Sequence, residues 1–203
     1  PIIGYIGAIS DVLDKKLIIA IANFFTKATI LLVGPVYTNV SEFKGFGNIV
    51  LNGEVPHSEI SKYIQNFNVA LIPYLVNDFT NSVYPCKLNE YLAMGIPVVT
   101  SSLEEVVIFE KKYRKSVSIA KDKSEFIQSI SNILADNNSQ SNAETLKRID
   151  IAKKNTWDAR FQDIDRLINI SISNKLSEEV DWKVHLNKFY KEKRSLRLKR
   201  IAV

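Results

Sequence analysis

The first 120 residues alternate between two patterns, and that alternation limits the possible folds more than any other feature. "IIGYIG" (2–7), "ATILLVG" (28–34), "GNIVLNG" (47–53), "VALIPY" (69–74), "PVVTS" (97–101) and "SVSIA" (116–120) are short and rich in apolar or β-branched residues. Such runs, flanked by turn residues, read as buried strands. The stretches 14–25, 58–67 and 85–95 lie between them and space their apolar residues at helical intervals. Residues 123–136 form an amphipathic helix, with Phe126, Ile127, Ile130, Ile133 and Leu134 on one face. Ser58 is expected to cap the 58–67 helix. Pro85 is expected to open the 85–95 helix, and Gly95 to close it. Near-continuous apolar strands alternating with helices call for a parallel sheet covered on both faces. Right-handed crossovers make that sheet doubly wound.

Beyond residue 141 the helical pattern runs on without strands. Residues 141–155 and 156–171 read as helices, with 137–142 as a polar loop. Trp157, Phe161, Ile164, Leu167 and Ile168 form an apolar stripe, and Trp157 is expected in the core. Residues 176–203 are expected to be helical to about 195, with a rough stripe of Trp182, Val184, Leu186, Phe189 and Tyr190 among lysines. The expected organisation is an α/β domain over 1–172 and a basic amphipathic helical tail over 173–203.

Composition narrows the function. The formal net charge is +5, but Lys183–Arg200 holds eight Lys/Arg against one Glu, leaving the remainder near −2. The basicity belongs to the tail, so the domain gives no support for nucleic-acid binding. One cysteine, Cys86, and two distant histidines, His57 and His185, leave no Cys/His zinc pattern. A lone thiol fits a reducing compartment, so a cytoplasmic location is expected. No apolar run approaches the roughly 20 residues of a membrane span.

In an open parallel sheet, ligands bind beyond the carboxyl ends of the strands, near the point where strand order reverses. After the first strand comes "GAISDVLD". Gly7, Ala8 and Ser10 are small enough for backbone N–H groups to approach an anion, but taken alone the stretch reads first as a plain tight turn. After the fourth comes "LVNDFTNSVYPCKLNE", long and polar. Lys87 and Glu90 then stand three apart in the first turns of the next helix, on one face. Leu88, Tyr91, Leu92 and Met94 form its core side. A lysine at a helix N-terminus opposes the macrodipole, so helix stability alone does not explain it. A lysine there can neutralise a phosphate, and a carboxylate one turn on can accept from a vicinal diol. The plain alternative is a solvated i,i+3 pair worth about 0.3 kcal/mol.

The stretches "GYIGAIS" (4–10), "LLVGPV" (31–36), "NIVLNGEVPHSEISKYIQNFNVALIPY" (48–74) and above all "PCKLNEYLAMGIPVVTS" (85–101) resemble a known family. They are similar to the C-terminal, donor-nucleotide-binding half of bacterial GT-B glycosyltransferases, the group 1 enzymes of capsule, lipopolysaccharide and teichuronic-type polymers. The last stretch matches that family's P-x-K-L-x-E-Y-L-A-x-G-x-P-V-V at every fixed position, and "TWDARFQDI" (156–164) resembles its closing helix. The likeness covers about residues 1–172.

The resemblance implies a Rossmann-like doubly wound sheet with C-terminal helices, and transfer of a sugar from a UDP- or GDP-sugar to a glycan or lipid-linked acceptor. By position, Glu90 would bind the ribose hydroxyls and Lys87 the diphosphate. Ser82 and Val83 would offer backbone amides, and Gly7, with Ser10 in the same loop, would line the opposite wall. The Gly53–Val55 turn would hold the base, with Ile60 nearby. Asp78 and Thr80 are candidates for donor-sugar contacts. No catalytic base, metal or cofactor is assigned on this chain.

Two departures stand out. Ser82 occupies the place of the first of two glutamates found in many members. No arginine follows the second strand. The family has an acceptor-binding domain ahead of this one, so an N-terminal partner domain is expected, and the chain alone is expected to bind nucleotide with little turnover. A catalytically inactive binding module and a nucleotide-sugar epimerase of the same shape remain alternatives. The tail could lie on an anionic membrane at the inner face of the plasma membrane, or pack on the other domain.

Overall fold

A computed structural model describes residues 1–136 and 141–201, without the side chains of 177–181 and 192–201. Most of the polar loop expected at 137–142 therefore lies outside the described residues, as do the side chains of much of the basic tail. The chain divides into two compact units, Pro1–Asn155 and Thr156–Val203. The division falls at Asn155, where the sequence reading placed it after 172.

The first unit holds six parallel strands: β1 (Ile2–Ile6), β2 (Thr29–Val33), β3 (Ile49–Gly53), β4 (Val69–Ile72), β5 (Val98–Ser101) and β6 (Ser118–Ala120). Their spatial order is β3-β2-β1-β4-β5-β6. The chain winds outward from β1 to β3, crosses back, and winds outward again from β4. Strand order thus reverses between β1 and β4, and the expected doubly wound sheet is what forms.

The helices of this unit are α1 (Lys15–Phe24), α2 (Ile60–Ile64), α3 (Asp78–Asn81), α4 (Lys87–Ala93), α5 (Glu104–Lys112), α6 (Lys123–Ala135) and α7 (Asn142–Lys153). α1 and α6 pack together on one face of the sheet. α2 and α4 lie on the other, with Phe67, just after α2, in ring contact with Tyr91 of α4. α7 packs against α4. The core joins the strands to the inner faces of these helices. Ile3, Ile30, Leu32, Val69 and Leu71 on the sheet are fully buried, as are Ile18, Ile21, Leu88 and Ile130 on the helices. Gly4 makes room at the centre: a methyl group there would sit 2.3 Å from the Phe67 ring.

Local rules explain most ends. Asp14, Asp122 and Ser141 cap α1, α6 and α7 through their side chains. The helix expected at 58–67 is a 3₁₀ turn, His57–Glu59, followed by the single turn of α2. Ser58 lies inside that turn and caps nothing. α5, between the fifth and sixth strands, was not read from the sequence, although parallel neighbours require a crossover there. Its helical face holds only Val106 and Phe109 as buried residues, which is too little to stand out as a pattern.

The second unit is one continuous helix, α8 (Trp157–Ile201), where two helices were expected. Trp157 was expected in the core and is 65% exposed. Phe161, Ile164 and Ile168 of the same stripe are exposed too, as are Trp182 and Phe189 of the tail stripe. No helix among the described residues is long and apolar enough to cross a membrane.

Candidate functional site

Three loops converge where strand order reverses. The chain leaves β1 at Gly7, whose amide donates to Val33 O at 2.9 Å. Gly7 has φ +130° and Gly34, at the end of β2, has φ +146°. A methyl group on Gly34 would lie 2.1 Å from Gly7 O, so the two turns touch only because residue 34 is glycine. The loop then bridges to both neighbours. Ile9 donates to Pro35 O, Asp14 donates to Pro73 O, and Leu75 donates to Val12 O. Ser10 sits inside this loop with its carbonyl accepting from Leu13 N–H. α1 begins only at Lys15, and its first turn is already capped by the Asp14 carboxylate, 2.9 Å from Leu17 N. One amide of that turn is thus already paired with a carboxylate.

α4 supplies the charged pair. Leu88, Tyr91 and Leu92 are fully buried, and Met94 is half-buried. The Tyr91 hydroxyl accepts from Ile6 N–H at 2.8 Å and ties α4 to the end of β1. Gly95 ends the helix at φ +72°, and its carbonyl accepts from buried Arg148 Nε at 2.7 Å. This packing leaves Lys87 and Glu90 on the flank facing the β1 and β3 loops, both only partly buried.

Lys87 lies against Gly7: a methyl group there would be 3.0 Å from Lys87 Cε and 3.4 Å from its Nζ. The Lys87 ammonium donates to the Tyr74 hydroxyl. It stands 4.8 Å from the Tyr74 ring centroid and 5.3 Å from that of Tyr5. Glu90 Oε1 lies 3.9 Å from Nε2 of His57, which follows the Gly53–Val55 turn. The structure thus places Lys87 against Gly7 and Glu90 beside the turn that follows β3. Gly53, at φ +80°, has open space where a side chain would stand, and Val55 packs partly against the core.

The β4–α4 segment departs from the expectation. The amide of Ser82 donates to Phe79 O and Thr80 O, and that of Val83 donates to Thr80 O. These amides close α3. Thr80 was a candidate for a sugar contact, but it is 1% exposed and its hydroxyl is spent in a capping box with Asn77 and on Leu75 O. Asp78 is exposed at the start of α3. The side-chain oxygen of Asn81 is buried, and among the described residues it alone is so without a hydrogen-bond partner.

Tyr5 and Tyr74 were not read as site residues. Tyr5 looks like any core aromatic inside an apolar strand. Tyr74, two residues beyond β4 at the reversal point, carried a positional signal. Burial pushes the Tyr5 phenol far up from its usual range, and the neighbouring Tyr74 and Tyr91 push it further. Burial likewise raises Tyr91. Tyr5 therefore stays protonated and donates to Ala8 O at 2.9 Å. On the other flank of Tyr74 lies an open crevice of about 490 Å³, bordered by Asp14, Lys16, Ser101, Lys121 and Lys123. No grouping of His, Cys, Asp and Glu suited to a metal ion occurs among the described residues.

The first unit is thus a doubly wound parallel sheet with a lysine and a glutamate on the helix that follows its reversal point. Residues 1–136 match the family model of glycosyl transferases group 1, and the chain belongs to that family. It is 28% identical over 173 residues to TuaH of Bacillus subtilis (strain 168), which bears the name of a teichuronic acid biosynthesis glycosyltransferase; the match covers 83% of this chain and 43% of TuaH. Among solved structures, sucrose-phosphate synthase from Thermosynechococcus elongatus superposes with a TM-score of 0.68 at 18% identity, over 85% of this chain and 46% of the other. Anabaena Alr3699/HepE, solved in complex with UDP-glucose, gives 0.64 at 11% identity, over 83% and 48%. These likenesses show a shared GT-B-type fold. The chain spans less than half the length of the relatives it matches.

Proposed function

We propose that this chain is the donor-binding half of a glycosyltransferase that moves a sugar from a UDP- or GDP-sugar to a glycan or lipid-linked acceptor in cell-surface polysaccharide synthesis. The observation that carries the reading is the placement of the Lys87 ammonium beside Gly7, with Glu90 about one turn further along the helix and beside His57. Family membership supports glycosyl transfer, TuaH's name supports a surface polymer, and HepE's bound UDP-glucose supports a nucleotide-sugar donor.

In this reading the diphosphate lies between Gly7 and Lys87. The ribose hydroxyls donate to the Glu90 carboxylate, and the base meets the Gly53–Val55 turn. During transfer the bond from the anomeric carbon to the terminal phosphate oxygen breaks, and the nucleoside diphosphate leaves with the electron pair. Lys87 would stabilise that charge from a position fixed before reaction. The acceptor and any base acting on it would come from a preceding domain.

Calorimetric titration of UDP, GDP and ADP tests the reading. Glu90→Ala removes an ionised acceptor for two hydroxyls, so affinity for the preferred nucleotide is expected to fall about tenfold or more. Equal binding by wild type and variant would remove Glu90 from the role.

A further inference from the structure

We propose that Tyr74 is a positioning residue for Lys87, and that with Tyr5 it forms an aromatic slot aiming the ammonium at the Gly7 side of the crevice. This rests on reading Lys87 as the counter-charge of the diphosphate, and adds how that charge is held in place.

A lysine side chain on a helix flank has four rotatable bonds and explores many rotamers. Lys87 is constrained on three sides. Its stem passes the missing side chain of Gly7, so close that a methyl group there would touch Cε. Its ammonium stands near two ring centroids, those of Tyr74 and Tyr5. It also donates to the Tyr74 hydroxyl. Neither ring can readily move. Tyr5 is buried inside β1 and fixed by its bond to Ala8 O. Tyr74 is 9% exposed and sits where the β1–α1 loop bridges to the chain after β4.

The arrangement has two effects. The Tyr5 and Tyr74 rings crowd the ammonium and offer only weak acceptors, so they limit where it can stand without filling its donor capacity. The Tyr74 hydroxyl takes one of its three N–H groups and leaves two for phosphate oxygens. Lys87 thus meets the ligand already ordered, and binding spares the cost of immobilising a long side chain.

The test is a double-mutant cycle on the 203-residue chain, titrating UDP and GDP by calorimetry and following the tighter one. Lys87→Ala is expected to lose about tenfold in affinity. Tyr74→Phe is expected to lose about fivefold, and the double variant no more than Lys87→Ala alone. A merely structural Tyr74 would give additive losses. If Lys87→Ala loses affinity while Tyr74→Phe binds within twofold of wild type, the positioning role is overturned and the reading of Lys87 stands. If Lys87→Ala binds as wild type does, the counter-charge reading itself fails. A second measurement needs no folded Tyr74 variant. The ¹H–¹⁵N correlation of the Lys87 ammonium, assigned by its absence in Lys87→Arg, is expected displaced from the free-lysine position because of the two rings and the Tyr74 hydroxyl. A free-lysine position would overturn the slot.

Discussion

The contact between Gly34 and Gly7 offers the sharpest test of how the crevice is built. Gly34→Ala places a methyl group 2.1 Å from Gly7 O, well inside van der Waals contact. The obstacle is backbone, so no side-chain rotation relieves it. Two costs add. A side chain at φ +146° is strained by roughly 1–2 kcal/mol. The ends of β1 and β2 must also separate. They are held by Gly7 N–H to Val33 O and, on the far side, by Gly34 N–H to Gly53 O, each 2.9 Å. Losing one such bond in a buried setting costs about 1–3 kcal/mol. The expected destabilisation is therefore about 2–5 kcal/mol, or roughly 4–20 °C in melting temperature for a chain of this size. Urea and thermal unfolding of the full chain would read it. Nucleotide affinity should fall too, because Gly7 would shift relative to Lys87. A loss below about 1 kcal/mol, the ordinary range for a surface change, would refute the close approach.

Glu110 accepts from the amides of Lys115, Ser116 and Val117 and from the Ser116 hydroxyl, at 2.6–3.1 Å, holding a turn in which Lys115 has φ +61°; Glu110→Ala should cost about 2–3 kcal/mol in urea unfolding, and a loss under about 0.5 would count against the turn. Tyr91→Phe would leave the Ile6 amide without its acceptor and should cost about 1–3 kcal/mol. Tyr5 and Tyr91 have folded pKa values raised above the ordinary 10.0. Their contribution is therefore complete below pH 10 and lost as pH rises beyond it, by about 1.4 kcal/mol per pH unit for each tyrosine. Tyr91→Phe should flatten that alkaline slope, and an unchanged slope would contradict the assignment. If α8 lays its exposed stripe on a membrane, the chain should sediment with anionic vesicles in a salt-sensitive way and lose that on removal of 176–203; absent or salt-insensitive binding removes the membrane reading.

Much of the fold was legible because buried parallel strands are written as unbroken apolar runs. "ATILLVG" and "VALIPY" could only lie inside a covered sheet, and both do. The short polar elements were not legible. α3 exists because Asn77 and Thr80 cap each other across one turn, a local device without periodicity. α8 carries no strong amphipathic signal, and the pattern of "TWDARFQDI" could not say whether its stripe was covered. At the site, the Lys87–Glu90 spacing was readable from α4 alone. Tyr5 and Tyr74 were not, since residues 69 positions apart meet only through the β1–β4 pairing. The amides of Ser82 and Val83 were assigned by position in a pattern, and the closing turn of α3 then claimed them.

The most direct test is a crystal structure of the chain with the nucleoside diphosphate that calorimetry ranks tightest. The expected density places the diphosphate within hydrogen-bonding reach of Lys87 Nζ on the Gly7 side, with both ribose hydroxyls on the Glu90 carboxylate. Nucleotide in the crevice bordered by Lys16, Ser101 and Lys121, or ribose turned away from Glu90, would contradict the assignment.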